Sequence, residues 1–396
     1  MALPGKRLRC GICRRSSYRS DLVFGFGTEP CRNGIEAAGR GRGSNELRPA
    51  PRVQVQSGVD NRYHALDSMR ATMMLAGIYL HVVVGYSGNG SWPYIDANPT
   101  HALDFTLGII HGFRMPAFFV MAGFFGALLW NRRGGRAFAS NRLRRILLPF
   151  ALFWTLMFPL VAAIVVWLQQ GADKVAPAFT SGGVLARLHP LHLWFLEYLL
   201  MLYAIGAAVA WAFRKHRLEG VHRAYRWAVE RSYAPLLFAA VSWLPLALMQ
   251  GNLKDVDGFM PEWRILLAYT IPFGFGWLLF HSRDLLPRFE RGVWAHLALA
   301  APAFLVYGLV SGRTHPLARA AGNVVMCWLL IFACIGLFLR YCSRPSARWR
   351  YMSDASYWLY IMHLPVVVLL QVGLRPLPAP AIVKIPIVLA LAVTLL

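Results

Sequence analysis

Apolar runs long enough to cross a bilayer recur along this chain from Leu66 to its last residue. About twenty apolar residues in a helix span the hydrocarbon of a membrane, and a spanning segment of this kind satisfies its backbone only as a helix. The pattern therefore predicts an all-α integral membrane protein with about ten transmembrane helices. We place them at residues 66–86, 104–130, 147–168, 192–213, 234–250, 264–281, 293–310, 320–339, 355–372 and 381–396.

Arginine alternates between the loops on the two sides of these spans. The loops after the second, fourth, sixth and eighth spans are rich in arginine, whereas the intervening loops carry few Lys or Arg residues. Loops rich in Lys and Arg face the cytoplasm, so both termini are predicted to be cytoplasmic. The net charge of +23 is thus mainly a topology signal, and no nucleic-acid partner is expected. The lipid bilayer is the expected surrounding of residues 63–396.

Residues 1–62 differ from the polytopic domain at 63–396. They are rich in Arg and Gly, as in Gly39–Ser44, and contain no apolar run of signal-peptide length. We predict a disordered, basic, cytoplasmic tail that can also touch anionic lipid; an over-long translated start is the alternative. The last apolar run stops at the chain end, and we expect its helix to be truncated.

The first span carries ionisable residues at both ends. Arg70 and His81 are eleven residues apart, so they lie on one face of a helix and about 16 Å apart along its axis. Ionisable residues inside a membrane are costly and mark functional sites by default. The alternative from the spacing is that Arg70 reaches the headgroups and His81 makes a structural hydrogen bond.

Further polar residues fall at similar depths in other spans. We expect His81, His111, Arg114, Glu197 and His363 to converge on one polar cavity, and a second group to lie on the cytoplasmic side: Asp67, Arg70, Arg142, Arg144 and Arg145. Each group has an alternative: Arg114 and Glu197 as a structural ion pair, His192 as an interfacial residue, Tyr360 as a packing aromatic, and the arginines as topology signals only. No metal site is expected, since Cys10 and Cys13 form a lone pair of cysteines.

At these residues the chain resembles the membrane acyltransferase-3 family, and within it the branch that acts in glucan biosynthesis. The resemblance rests on several motifs between residue 63 and about 370. They are Leu66–Arg70 with His81, His111–Met115 leading into Phe118–Gly123, Arg142–Pro149, His192–Leu196 and Ser356–His363. The family often has Ser before the second-span Gly, where this chain has Ala122.

The resemblance implies a bacterial inner-membrane, multi-pass O-acyltransferase. It implies transfer of a succinyl group, with acetyl as the other option, from cytoplasmic acyl-CoA to hydroxyls of a periplasmic or cell-envelope glucan. Acyl-CoA is then a donor substrate rather than a bound cofactor, and no bound cofactor is expected. Glucan-synthesis machinery is a partner that the resemblance leaves open.

Roles for individual residues follow from this chemistry. His81 is the expected general base, Arg114 the oxyanion or carboxylate partner, and Glu197 the group that orients the imidazole; Arg70 completes the catalytic set. A covalent acyl-histidine is the mechanistic alternative to direct transfer. Substrate contacts are expected from Asp67, His111, Arg142, Arg145, His192, Tyr360 and His363.

Two other classes of function compete with this interpretation. Buried Arg and His in a ten-span protein also suit a proton-coupled transporter or flippase of an anionic envelope precursor. No inverted repeat is visible, because the first-span pattern of Arg70 and His81 has no counterpart in the second half. A membrane scaffold for glycan synthesis is the second rival, and it would not need His81.

Overall fold

The computed structural model describes residues 63–87, 92–214, 218–249, 251, 256, 258–311 and 316–396. The predicted tail at 1–62 lies outside the described residues. Within them the fold is helical throughout and no strand occurs. The α-helices are α1 His64–Val84, α2 Asp104–Arg142, α3 Leu148–Gln170, α4 Val175–Thr180, α5 Trp194–Ala212, α6 Glu219–Val229, α7 Ala234–Leu248, α8 Trp263–His281, α9 Leu286–Ser311, α10 Pro316–Cys342, α11 Ala347–Gly373 and α12 Ala381–Leu395.

Several of these helices are long and apolar enough to cross a bilayer. In the described residues five helical stretches meet that test, and a sixth is the pair α6 and α7, bent by 120°. The helix α1 is not among the five; it carries Asp67, Arg70 and His81. The fold is that of a multi-pass membrane protein, while ten spans and cytoplasmic termini remain predictions. The five stretches are Asp104–Gln170, Leu185–Ala212, Trp263–His281, Pro316–Cys342 and Ala347–Gly373.

The arginine-rich stretch after the second predicted span is helical rather than a loop. Helix α2 continues to Arg142, and a π-helical turn at Leu143–Leu147 leads directly into α3. A kink at Gly134, with φ 73° and ψ 172°, interrupts α2. Glycine takes a positive φ without steric penalty, so Gly134 lets the chain bend while the helix resumes beyond it.

Close packing of α2 on α8 fixes the position of the second helix. A Cβ added at Gly123 would collide with the carbonyl oxygen of Phe273, and one at Gly276 would collide with that of Val120. Backbones approach this closely only where small residues face each other. Gly123 belongs to one of the motifs on which the resemblance rests, and its close contact with Phe273 explains why this position has a glycine. The contact also holds the segment of α2 that carries Arg114.

Helix α1 packs against α2, α10, α11 and α12. The connection from α1 to α2 folds back onto the end of α1, where Asp96 N donates to Gly85 O at 3.0 Å and Thr100 N to Tyr86 O at 2.8 Å. Because α1 packs against helices from both halves of the chain, residues that are distant in sequence can meet at His81.

Candidate active site

Three histidines from three parts of the chain meet beside α1. The ring centroid of His81 lies 5.0 Å from that of His363 on α11, and His363 lies 4.9 Å from His192, in the turn before α5. His81 also stacks on the indole of Trp92, with centroids 5.0 Å apart and ring planes 20° apart. The sequence predicts that His81 and His363 converge on one cavity, and their rings are in contact here, so the C-terminal end of α1 forms a ring-lined site.

A proline explains how His192 is held. Pro365 lies inside α11 and has no N–H, so the carbonyl of Ile361 lacks its helical donor. His192 Nε2 lies 3.0 Å from that oxygen and 3.1 Å from Tyr360 O. The phenol of Tyr360 donates in return to His192 O at 2.6 Å. These bonds tie the turn before α5 to α11 and give Tyr360 a bonding role as well as packing.

The backbone contacts also assign the histidine tautomers. A carbonyl oxygen only accepts, so His192 Nε2 and His363 Nδ1, which lies 2.7 Å from Tyr360 O, each carry the hydrogen. In the neutral rings the lone pairs therefore sit on His192 Nδ1 and His363 Nε2. Both atoms are buried and have no hydrogen-bond partner in the described residues, and the same holds for His81 Nδ1. Buried polar atoms without partners call for an explanation, and a catalytic role is one of those available.

Arg114 lies against α1 one turn before His81. A Cβ added at Gly77 would collide with Arg114 Nη1, so the missing side chain makes room for the guanidinium. Arg114 and His111, both on α2, are within electrostatic range of His81. The structure therefore brings together six of the predicted site residues: His81, His111, Arg114, His192, Tyr360 and His363.

Glu197 lies on the first turn of α5, just after the turn that holds His192. Its Oε2 atom is buried without a hydrogen-bond partner, and Glu197 forms no ion pair within the described part of the chain. The alternative of a structural Arg114–Glu197 ion pair thus finds no support in the geometry. Contact of Glu197 with the His81 imidazole is likewise not seen, and its orienting role stays a prediction.

The opposite end of α1 forms a separate polar group. Arg70 Nη2 donates to Ser353 Oγ on α11 at 2.7 Å and lies 3.6 Å from Asp67 Oδ1. Asp67 also lines a shallow cleft with Arg344 and Arg350. Eleven residues of helix, about 16 Å, separate Arg70 from His81, so Arg70 does not belong to the histidine cluster.

Arg142 and Arg145, the two arginines near the end of α2 that are predicted to contact substrate, have different surroundings. Arg142 is half-buried, and its guanidinium lies 4.1 Å from the ring centroid of Tyr203 and 5.3 Å from that of Phe138. Arg145, in the π-helical turn, is exposed. Cation–π packing fixes the plane of Arg142 and leaves its edge for hydrogen bonds, whereas Arg145 has no such support.

The sequence interpretation missed four residues around His81: Trp92, Asp96, Gln371 and Lys384. The indole of Trp92 donates to Gln371 Oε1 at 2.8 Å, and Lys384 Nζ lies 2.9 Å from Asp96 Oδ2. Lys384 is the one charged residue in the last apolar run, and a lone charge there needs a partner. The lone charge of Lys384 was therefore a signal that the sequence offered, but it does not show that Asp96 is the partner. Within the described residues no three His, Cys, Asp or Glu side chains are placed to share a metal ion.

Comparison with known proteins identifies the class of this chain. A family model described as an acyltransferase domain, Acyltransferase-3, matches residues 63–396. The chain belongs to this acyltransferase family. The match covers every residue of the site just described, and it confirms the resemblance seen in the sequence motifs. The protein is therefore an acyltransferase.

Curated relatives agree with the family. Proteins named "Glucans biosynthesis protein C" from Salmonella heidelberg (strain SL476) and Salmonella agona (strain SL483) are 26% identical over 331 residues, which is 80% of this chain and 85% of each relative. The protein of that name from Salmonella dublin is 26% identical over 329 residues, with the same shares. No solved structure gives a significant match.

Proposed function

We propose that this acyltransferase moves an acyl group, succinyl in the first place, from cytoplasmic acyl-CoA to hydroxyls of an envelope glucan at the bacterial inner membrane. The carrying observation is the placement of two polar groups at opposite ends of α1. His81 lies half-buried in a ring-lined cluster at one end, with its Nδ1 atom buried, and Arg70 lies half-exposed in a basic region at the other. The printed name of the relatives supports a glucan as the acceptor class.

The basic end suits the donor. Acyl-CoA is strongly anionic, and arginine binds phosphate through paired, charge-assisted hydrogen bonds. Arg142, whose plane is fixed on Tyr203, offers an oriented edge for such a contact. The acyl-pantetheine arm is a long, thin chain that would follow α1 toward His81, so the thioester carbonyl would reach the histidine cluster while the nucleotide stays on the cytoplasmic side.

At the histidine cluster the transfer needs a base and an oxyanion partner. A sugar hydroxyl attacks the thioester carbonyl while an imidazole, His81 in this proposal, takes the hydroxyl proton. The C–O bond forms, the C–S bond breaks, and the thiolate leaves and takes a proton to give CoA-SH. Arg114 is placed near His81 to stabilise the negative tetrahedral oxygen or to hold a succinyl carboxylate. His363 Nε2 and His192 Nδ1 offer lone pairs to the sugar hydroxyls.

Reconstitution tests the proposal directly. The purified protein in liposomes is given isotopically labelled succinyl-CoA, with acetyl-CoA in parallel, and β-linked glucose oligosaccharides as acceptor. Mass spectrometry of the oligosaccharides should show a succinyl ester with the wild type and none with His81→Gln. Transfer from acetyl-CoA alone would correct the acyl group, and absence of any acylated oligosaccharide would overturn the glucan acceptor.

A further inference from the structure

Residues 92–100 cover the outer face of His81 and form part of its surroundings. Backbone hydrogen bonds from Asp96 to Gly85 and from Thr100 to Tyr86 hold this segment against the end of α1. It contributes Trp92, the residue that stacks on the imidazole of His81. The segment follows α1 directly in the chain, so it is placed by the same helix that carries the histidine.

The indole of Trp92 is held in its plane by a buried amide. Its Nε1 donates to Gln371 Oε1 at 2.8 Å, and Gln371 Nε2 donates to Val82 O at 2.9 Å. Gln371 is fully buried on α11, and a Cβ at Gly85 would come within 2.5 Å of its Nε2 atom. The amide therefore has little freedom to turn. The His81 ring packs against both Trp92 and His363, with centroids 5.0 Å away in each case, and these two neighbours restrict its rotation.

A buried ion pair fastens the same segment to α12. Lys384 Nζ lies 2.9 Å from Asp96 Oδ2, and their side chains are 5% and 2% exposed. Tyr94 OH donates to the same carboxylate at 2.9 Å and Asn98 N at 3.0 Å. A buried pair is a poor source of net stability, because removing both charges from water offsets their attraction. Its location between the 92–100 segment and α12 is consistent with a positional role.

We propose that Trp92 is a positioning residue for His81, and that the Asp96–Lys384 ion pair fixes the segment carrying it. The inference rests on the proposed acyl transfer. A general base works only when its lone pair is held within hydrogen-bond reach of the hydroxyl. Stacking on the Trp92 indole, with the His363 ring also in contact, restricts the plane of the His81 ring. Gln371 keeps the indole in that plane.

Substitution of Trp92 separates positioning from substrate binding. With labelled succinyl-CoA and β-linked glucose oligosaccharides, Trp92→Leu should lower kcat by about 10- to 100-fold, the usual cost of losing a supporting partner of a catalytic group. The donor KM should stay unchanged. Trp92→Phe keeps a ring but loses the bond to Gln371, so its kcat should fall between those of wild type and Trp92→Leu.

A matched control shows whether any half-buried tryptophan with a bonded indole would have this effect. Trp243 also donates its indole hydrogen, to Leu317 O at 3.0 Å, in a contact between α7 and α10 that lies outside the histidine cluster. Trp243→Leu should leave kcat close to the wild-type value. Folded yield of each variant is measured by size-exclusion chromatography, and Trp92→Phe is used for the comparison if Trp92→Leu folds poorly.

A double-mutant cycle tests whether Trp92 acts through His81. In a His81→Gln background, Trp92→Leu should cause no further fall in kcat, because the base that it positions is already absent. An equal further fall would show a general structural role and overturn the inference. The same cycle with Asp96→Asn plus Lys384→Met, which removes both charges together, should show that Trp92→Leu costs less when the ion pair is gone.

The outcomes distinguish the inference from the function on which it rests. If wild type transfers no acyl group to the oligosaccharides, the proposed function and this inference both fail. If wild type is active and both Trp92 variants keep the wild-type kcat, the inference alone fails. A raised donor KM with unchanged kcat would assign Trp92 to substrate binding and overturn the positioning role.

Discussion

The two ends of α1 hold ionisable side chains in opposite settings. Around His81 the neighbours are aromatic rings, fixed backbone carbonyls and the Arg114 guanidinium, and three histidine ring nitrogens there are buried without partners in the described residues. Around Arg70 the charges are half-exposed and are met by Ser353 and Asp67. An imidazole held among fixed rings suits proton transfer, whereas arginines open to water suit capture of an anion. Under the proposed function, this difference would separate the chemistry from donor binding along one helix.

The largest expected effect comes from removing the base at the ring-lined end. His81→Gln keeps a hydrogen-bonding side chain but cannot take the proton, and general acid–base catalysis contributes about 10²–10⁴ in rate. We expect kcat for acyl transfer to fall within that range with an unchanged Kd for acyl-CoA, measured by isothermal titration. A variant that keeps more than about a tenth of wild-type kcat would remove His81 from the catalytic role.

The contact of Gly77 with Arg114 provides a second test at the His81 end of α1. Gly77→Ala places a Cβ where Arg114 Nη1 lies, so the guanidinium must move while the helix stays intact. A displacement of about 1 Å at a reacting group costs up to about 10² in rate, and we expect a fall in kcat of that order. Gly274→Ala on α8 is the control, because a Cβ there meets open space and the variant should keep wild-type activity. Equal activity of the two variants would contradict a catalytic position for Arg114.

The buried ion pair predicts a stability difference with pH. Burial alone would raise the pKa of Asp96, but hydrogen bonds from Asn98, Lys384 and Tyr94 together with the Lys384 charge hold its pKa below the ordinary value. A lowered folded-state pKa gives stability that is present above the unfolded pKa, about 3.9, and is lost as pH falls through the folded one. Tm in detergent should thus fall more between pH 6 and pH 3 for wild type than for Asp96→Asn with Lys384→Met. Parallel curves would show that the pair adds no pH-dependent stability.

At the basic end the expected effects are smaller and fall on donor affinity. Arg142→Gln should raise the apparent KM for acyl-CoA, and Arg142→Lys should restore only part of it if the contact is bidentate. Arg145→Gln should change KM less, because Arg145 is exposed and lacks the stacking that fixes Arg142. Initial rates at varied acyl-CoA give these values. Equal, wild-type KM in all three variants would return both arginines to a topology role.

The predicted membrane topology can be tested by thiol labelling, which does not depend on an activity assay. In a cysteine-free background, Ser181→Cys and Ser343→Cys place single thiols at exposed positions on predicted opposite sides. A membrane-impermeant maleimide applied to intact cells should label position 181 and spare position 343. The reverse labelling would place Arg70 outside and His81 inside, and would exclude a cytoplasmic donor at the basic end.

Much of the fold could be predicted because apolarity is a local signal. Each predicted apolar run lies mainly within a helix, and the family motifs assigned the class. The stretch Arg132–Arg145 was predicted as a loop and is helical, because charge density alone does not break a helix when Gly134 can absorb the bend. Local patterns also found His81, His111 and Arg114, which stand out as polar residues in apolar runs.

The sequence by itself determined which residues are costly to bury, and the tertiary structure decided which of them meet. Hydropathy and charge are properties of neighbouring residues, so they indicated spans, predicted orientation and ionisable candidates. The partners of His81 come from positions as far apart as Trp92 and His363, and Asp96 meets Lys384 across most of the domain. Such pairings depend on how helices pack, and that is set by contacts such as Gly123 on Phe273 and the carbonyl freed by Pro365.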